Sequence, residues 1–140
     1  MGLIMKGTYF LLMSLNSDKP IQIGKLGNIQ FRKGWYVYIG SALNGLEGRI
    51  NRHLRSEKKH HWHIDYFLVY AKIKKVYIKR GIVKEECSVS QSFSHSFDMI
   101  PNFGCSDCSC KSHLYVGEKT SFESLIKNLQ FVEFLAMKTI

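Results

Sequence analysis

Proline and long apolar runs are both scarce in this chain of 140 residues. It has two prolines, and 45% of its residues are hydrophobic and 13% aromatic, a composition that excludes disordered and low-complexity proteins. No stretch approaches the roughly 18 consecutive apolar residues that a membrane-spanning helix needs. The length and composition therefore predict a single domain, residues 1–140, that folds around its own core.

The chain also lacks the marks of a secreted or lipid-anchored protein. Its apolar first segment, residues 1–15, has one charge, Lys6, and no small-residue cleavage site, and Lys6 occupies the position where a myristoylation signal has serine or threonine. Four cysteines, all in the second half, are too few for a disulfide scaffold. We therefore expect a cytoplasmic protein with reduced thiols and no membrane partner.

Acidic residues are the minority, 11 against 20 lysines and arginines. The segment 49–84 alone has 11 basic and two acidic residues, so it carries the whole net charge of +9, and it also contains four of the six histidines. Cations mixed with aromatic rings can bind phosphates and stack on bases. The segment favours a nucleic-acid partner over the alternative of a solvated charged face. The predicted binding residues are Arg49, Arg52, Arg55, Lys58, Lys59, Lys74 and Lys75.

Hydrophobic periodicity predicts strands at 7–15, 21–23, 29–31, 35–39 and 73–79. The first strand is apolar on both faces, as in a buried central strand, and the segment 21–39 is typical of an antiparallel meander. Helices are predicted at 46–56, 61–70, 83–97 and 121–137, with a loop at 99–111. Leu46, Ile50 and Leu54 form the apolar row of the first helix, and Thr120 with Glu123 matches a capping box before the last.

Two tripeptides and an arginine follow one another in a distinctive order. Gly7-Thr-Tyr9 begins the first predicted strand, Tyr38-Ile-Gly40 ends a later one, and helical Arg49 follows nine residues on. The other motifs of the set are GKLG (24–27), GWYVYIGSA (34–42), RINRH (49–53), HWHIDY (61–66) and FGCSDCSCKSHL (103–114). The set resembles the GIY-YIG nuclease superfamily, and within it the Uri-type endonucleases, over residues 7–116. The first tripeptide differs mildly, with threonine at its centre.

This resemblance implies an α+β domain in which a small central antiparallel sheet is flanked by helices. It also implies a divalent-metal-dependent endonuclease that hydrolyses phosphodiester bonds, with DNA the favoured nucleic acid and Mg²⁺ or Mn²⁺ the cofactor. In such enzymes the first tyrosine lies near the attacking water, the helical arginine holds the phosphate and a later glutamate binds the metal. The corresponding residues here are Tyr9, Arg49 and Glu86, with Tyr38 and His53 in support.

The metal-binding carboxylate has two candidates. Glu86 falls on a predicted helix after the basic strand, in the order expected of the family glutamate. Asp65 is the rival, because it lies close to His61 and His63 and could bind a metal or orient a histidine. A structural hydrogen bond between His63 and Asp65 is the competing interpretation.

Cys105, Cys108, Cys110 and His113 offer four zinc donors within nine residues. Structural zinc sites usually draw ligand pairs from segments a dozen or more residues apart, so this loop is a cramped site unless Cys87 or another histidine completes it. We therefore expect no obligatory zinc ion. Two alternative functions remain: a nucleic-acid-binding module of the same fold without catalysis, and a small zinc-binding or redox protein built on this loop.

Overall fold

The computed structural model describes residues 6–42, 45–81, 85–105 and 110–134. These ranges form an α+β domain, as predicted. The strands are β1 (Gly7–Leu15), β2 (Lys19–Ile23), β3 (Gly27–Phe31), β4 (Gly34–Ala42), β5 (Lys72–Arg80), β6 (Asp98–Met99), β7 (Leu114–Gly117) and β8 (Val132–Glu133). The helices are α1 (Leu46–Leu54), α2 (His63–Phe67), α3 (Glu86–Ser94) and α4 (Lys119–Asn128). No helix within these ranges has the length and apolar character to cross a bilayer.

β1 lies at the centre of a six-stranded antiparallel sheet whose order is β6-β7-β4-β1-β5-β8. Eight of its nine residues are buried, because helices cover both faces of the sheet. Successive side chains of a strand point to opposite faces, so the all-apolar sequence of β1 suits a strand between two cores. The predicted bounds and the central position of this strand are confirmed.

Two separate cores lie on the two faces of the sheet. On the first, called here the α1 face, Tyr9, Leu11 and Met13 of β1 pack with side chains of α1, α2 and the β2–β3 hairpin. On the second, called the α3 face, Phe10 and Leu12 pack with α3 and α4. Successive residues of β1 therefore pack into different cores, one on each face of the sheet.

The predicted meander is wrong in its pairing. β2 and β3 form a two-stranded sheet of their own, joined by a short 3₁₀ turn at Gly24–Leu26, while β4 pairs with β1. The hairpin buries Ile21, Ile23 and Phe31 in the core of the α1 face. Burying these side chains removes apolar surface from water and so stabilises the hairpin's position against the α1 face.

The predicted first and last helices were both too long. α1 ends at Leu54, which is 43% exposed and so does not extend the buried row of Leu46 and Ile50. α4 ends at Asn128, because Gln130 adopts a positive φ of 68° and the chain turns back to pair β8 with β5. Residues 135–137 of the predicted helix lie outside the described ranges.

The capping box predicted for the last helix is not formed. Glu118 caps α4, which places Thr120 inside the helix rather than before it. The Glu123 carboxylate accepts a hydrogen bond from Nζ of Lys75 at 3.2 Å. The other two predicted helices are shorter than expected, with α2 at His63–Phe67 and α3 at Glu86–Ser94.

Candidate active site

Two predicted catalytic side chains form a buried pair. The Tyr9 hydroxyl of β1 lies 2.6 Å from Nε2 of His53, which belongs to the last turn of α1. Tyr9 is 1% exposed and His53 is 3% exposed. α1 carries His53 inward because Leu46 and Ile50, on its neighbouring turns, are anchored in the core of the α1 face.

Burial sets the protonation of this pair. It raises the pKa of the Tyr9 hydroxyl far above its usual value, against the opposing charge of Arg49. It lowers the pKa of His53 to about 3, helped by Arg49 and neighbouring cations and opposed by Asp65. Both groups are therefore neutral near pH 7. Nδ1 of His53 is buried and has no hydrogen-bond partner among the described residues.

The second predicted tyrosine lies on the same face. Tyr38 of β4 is half-buried, with its ring centroid 6.5 Å from that of Tyr9 and 6.2 Å from that of His53. Burial, with the nearby Tyr9 and Glu86, holds the pKa of Tyr38 well above its usual value, while Arg49 opposes the shift. Tyr38 is thus a neutral hydroxyl beside the pair, closer to solvent than Tyr9.

The glycines of both tripeptides have a steric role. A Cβ atom on Gly40 would lie 2.4 Å from Cζ of Tyr9, its cross-strand partner. A Cβ atom on Gly7 would lie 2.2 Å from the carbonyl oxygen of Lys79 on β5. Real side chains do not approach so closely, so each glycine permits a close contact between strands. Gly40 in particular makes room for the Tyr9 ring.

Ser41 connects the predicted arginine with the predicted glutamate. Its carbonyl oxygen accepts a hydrogen bond from Nη1 of Arg49 at 3.0 Å, and its hydroxyl donates to Oε1 of Glu86. The guanidinium of Arg49 also stacks on Trp62, 4.5 Å from the ring centroid. Sequence reasoning missed Ser41 as a site residue, although it directly follows Tyr38-Ile-Gly40.

Glu86 stands at the start of α3, a helix that packs on the opposite face of the sheet. Val89 and Phe93 of this helix are buried in the core of the α3 face. The first turn projects past the end of β4, where Glu86 reaches Ser41. The structure therefore brings Tyr9, Tyr38, Arg49, His53 and Glu86 to one end of the sheet.

The rival carboxylate, Asp65, is fully engaged in structural hydrogen bonds. Its two oxygens accept from Arg52 at 2.8 and 3.0 Å and from the backbone amides of His61 and Trp62 at 2.8 and 2.9 Å. Although burial opposes ionisation, these donors hold the pKa of Asp65 at about 2. His63 accepts instead from the Gly104 amide at 2.8 Å. The predicted bond between His63 and Asp65 is therefore wrong.

The predicted basic surface is divided between the two faces of the sheet. Arg52 stacks on Trp62 beside Arg49, and Lys58 donates to two carbonyl oxygens at the end of α1. Arg55, Lys59 and Lys74 are exposed. Lys75, in contrast, shares the α3 face with Leu12 and pairs with Glu123 of α4. An open cavity of about 420 Å³ lies against α1, and its cationic or basic lining residues are His53, Arg55, Lys58, His60 and Lys72.

The cysteine loop is placed only in part. The thiol sulfurs of Cys87 and Cys110 and a ring nitrogen of His113 all lie within 4.8 Å of one another. Cys105 is not in this group, and its Sγ donates to the carbonyl oxygen of Phe103 at 3.4 Å. Cys108, the remaining predicted zinc donor, lies outside the described ranges. The described donors thus come from α3 and from the segment before β7.

Comparison with protein families adds one finding. The family model described as Domain of unknown function DUF123 matches residues 8–133, and the chain belongs to that family. The match runs from β1 to β8 and includes all five residues gathered at the end of the sheet. No curated protein matches the chain, and no solved structure matches it.

Proposed function

We propose that this DUF123 family member is a GIY-YIG endonuclease of the Uri type, which uses a divalent metal to hydrolyse phosphodiester bonds, with DNA the favoured substrate. The observation that carries the proposal is the double contact of Ser41, whose carbonyl and hydroxyl groups connect Arg49 with Glu86. A phosphate-binding cation and a metal-binding carboxylate are needed side by side in metal-assisted phosphodiester cleavage.

Arg49 is suited to hold the scissile phosphate. A guanidinium has five N–H donors in a planar fork, and the Ser41 carbonyl accepts from one of them. Stacking on Trp62 fixes the plane of the fork before substrate arrives. Donors that need no rearrangement are the most effective stabilisers of charge that develops on phosphate oxygens.

Glu86 fits Mg²⁺ or Mn²⁺ better than Asp65 does. Its side chain is 16% exposed and contributes hard oxygen donors, and one protein carboxylate with phosphate oxygens and waters is a usual Mg²⁺ environment. Asp65 has a fully buried side chain and four hydrogen bonds, which a metal would have to displace. When bound, the ion would offset the charge that forms on the leaving oxygen.

In the proposed mechanism, Tyr9 and His53 together remove a proton from the attacking water once substrate binding has opened the site. In the proposed step the Tyr9 oxygen takes a proton from water while the Tyr9 proton passes to Nε2 of His53, 2.6 Å away. The water oxygen then bonds to phosphorus, and the leaving oxygen departs with the electrons of its bond and is protonated by solvent. A neutral imidazole is required to accept the proton, and burial keeps His53 neutral by lowering its pKa.

One observation favours the second candidate function, a nucleic-acid-binding module without catalysis. Tyr9 is only 1% exposed, so its hydroxyl meets water only if substrate binding opens the site. The partly exposed side chains nearest to it are Tyr38, Arg49 and Trp62, which would have to move. Binding through the cationic end of α1 requires no such opening.

A panel of labelled nucleic acids tests the two functions against each other. Duplex, branched and single-stranded DNA and RNA are incubated with the wild-type protein and with Glu86→Gln, with and without Mg²⁺ or Mn²⁺. We expect metal-dependent cleavage by the wild type that falls to background in Glu86→Gln, with binding retained. Glu85→Gln is the matched control, because the Glu85 carboxylate pairs with Lys79 at 3.8 Å. We expect this variant protein to cleave at the wild-type rate.

Two of the three other outcomes would contradict the nuclease proposal, and one would correct its metal ligand. Binding without cleavage of any substrate by the wild type would establish the binding module. Full activity in Glu86→Gln would show that the metal carboxylate is misassigned. Absence of both binding and cleavage at low salt would remove both candidates.

A further inference from the structure

We infer that Cys87, Cys110 and His113 bind a zinc ion, which joins the first turn of α3 to the segment that leads into β7. Their donor atoms lie within 4.8 Å of one another. Zinc bonds of roughly 2.0–2.3 Å at tetrahedral angles place ligand atoms about 3.3–3.8 Å apart. A contraction of about 1 Å therefore brings these three donors to bonding distance of one zinc ion.

The ligands of this site are well separated along the chain, unlike the four donors within nine residues that were judged too cramped for zinc from the sequence alone. The four donors predicted there all fell in one tight loop, whereas Cys87 lies 23 residues before Cys110. Cys110 and His113 form a local pair with two residues between them, and Cys87 comes from a different element. Two segments of this kind are the usual source of ligands for structural zinc.

Both segments are held by the fold independently of any metal. The backbone amide of His113 donates to Phe103 at 2.9 Å, and its carbonyl oxygen accepts from the Ile39 amide of β4 at 3.0 Å. The imidazole of His113 is 0% exposed. Cys87 is held because Val89 and Phe93 anchor α3 in the core of the α3 face. Ligands on well-packed elements keep the geometry that metal binding needs.

The donor set selects zinc over the ion proposed at Glu86. Thiolates are soft ligands that suit zinc, whereas Mg²⁺ takes oxygen donors. Binding requires both thiols as thiolates, so uptake of one Zn²⁺ releases two protons to solvent. The two metal sites are thus chemically distinct, and the zinc site does not depend on the nuclease proposal.

The zinc ion would also determine the position of Glu86. Glu86 directly precedes Cys87 on α3, and its Oε2 lies 3.9 Å from Nε2 of His113. A metal that ties Cys87 to His113 would hold the first helical turn against β7. The site is therefore a positioning device for the carboxylate that contacts Ser41.

Metal analysis of purified protein tests the inference directly. The wild-type chain is dialysed against Zn²⁺, freed of excess ion and measured by elemental analysis, and we expect about one zinc per chain. Cys87→Ser and Cys110→Ser should each lose it. Cys105→Ser is the matched control, because this neighbouring thiol donates to Phe103 and lies outside the group. Glu86→Gln should also keep its zinc.

Two further measurements test the site through the wild-type protein. Replacement of zinc by Co²⁺ in the wild type should give visible tetrahedral bands and a thiolate charge-transfer band. A chelator should lower the melting temperature of the wild type but leave that of Cys110→Ser unchanged. The inference is overturned if the wild type retains less than a tenth of an equivalent of zinc, if Cys105→Ser loses metal as Cys110→Ser does, or if Cys87 and Cys110 form a disulfide.

Discussion

The two faces of the central sheet differ in chemistry although one strand supplies both. On the α1 face Tyr9 meets the imidazole of His53 in a buried polar contact, whereas Phe10, the next residue, packs among phenylalanine rings on the α3 face. Phe93, Phe122 and Phe131 belong to this aromatic core. Beside β1, the α1 face therefore holds a buried polar contact, whereas the α3 face holds packed aromatic rings.

Helix α3 belongs to the aromatic core and also carries a residue of the candidate site. The helix is anchored by Phe93 on the α3 face, yet its first turn carries Glu86 to Ser41 at the end of β4. Substitutions deep in the aromatic core should therefore act on stability, while substitutions at the end of the sheet should act on binding and turnover. The four predictions below test this division.

The largest effect is expected in the salt dependence of nucleic-acid binding. If about six phosphates are contacted, affinity should fall on the order of a thousandfold between 50 and 200 mM salt, because each neutralised phosphate releases counterions. Arg55→Gln with Lys59→Gln should reduce the slope, since both cations are exposed at the end of α1. Fluorescence anisotropy with a labelled duplex at a series of salt concentrations measures this slope.

Lys75→Gln is the matched control for this binding experiment. Lys75 lies on the α3 face and already pairs with Glu123, so its removal should leave the slope unchanged. A slope that drops equally in Lys75→Gln would show that both faces bind, and a flat salt dependence in the wild type would remove the phosphate-contact model.

In the aromatic core, Phe93→Ala should lower the free energy of unfolding by about 3–5 kcal/mol, the usual cost of emptying a fully buried ring site. Phe93 is 0% exposed and its ring centroid lies 5.1 Å from that of Phe10. Leu54→Ala is the control, because Leu54 is 43% exposed and should change stability little. Urea titrations followed by circular dichroism give both values. Equal losses would contradict the placement of Phe93 in a tightly packed core.

On the α1 face, Arg49→Ala should slow cleavage about a hundredfold, the scale expected for losing one preorganised donor to developing charge. Binding should weaken only slightly, because the other cations of the segment remain. Arg49→Lys should recover part of the rate, since an ammonium keeps the charge but not the planar fork. Single-turnover cleavage and anisotropy separate the two effects. Normal cleavage in Arg49→Ala would exclude its phosphate-holding role.

The smallest effect is a pH dependence of stability. Burial lowers the pKa of His53 to about 3, so below its ordinary value of 6.5 the unfolded chain gains a proton that the folded chain does not. The contribution of neutral His53 to the free energy of unfolding is present in full above pH 6.5. It is lost as the pH drops towards 3, by up to about 1.4 kcal/mol per pH unit. His53→Gln should reduce this slope, measured by denaturant unfolding between pH 6.5 and 4.5.

That pH range is chosen to separate the titrating groups. Asp65, whose pKa is held at about 2 against an ordinary 3.8, affects stability only at lower pH. Burial also lowers the pKa of His63, which acts in the same direction, so His63→Gln is measured beside His53→Gln. An unchanged slope in His53→Gln would show that His53 is not the buried neutral group.

Local patterns predicted the first five strands but not the three short ones that follow, β6, β7 and β8, the last of which falls within the predicted final helix. The all-apolar sequence of β1 gave both its bounds and its central place, because only a strand covered on both faces buries every residue. The pairing of β2 with β3 alone depends on how their buried side chains fit the core of the α1 face, a tertiary choice that periodicity does not contain. The end of α4 at Asn128, earlier than predicted, likewise depends on a tertiary contact, the pairing of β8 with β5.

Part of the candidate site could also be anticipated. The resemblance implied Tyr9, Arg49 and a later carboxylate, for which Glu86 was preferred to Asp65, and Tyr9, Arg49 and Glu86 lie at one end of the sheet. It did not indicate Ser41, because a serine after a glycine is common and its two contacts arise from separate elements. Nor did spacing distinguish Asp65 from Glu86, since two of the four hydrogen bonds that occupy Asp65 come from Arg52, 13 residues away on α1.

The central place of β1 has a consequence for how the protein is made. Leu11 pairs with Tyr38 and with Val76, partners 27 and 65 positions further along the chain. During synthesis β1 therefore emerges long before β5. Until then its apolar side chains and its unpaired backbone edge are exposed to solvent. Such long-range pairing slows folding, and an uncovered apolar strand associates readily with others. We therefore expect nascent chains to aggregate readily until residue 80 is available to pair β5 with β1.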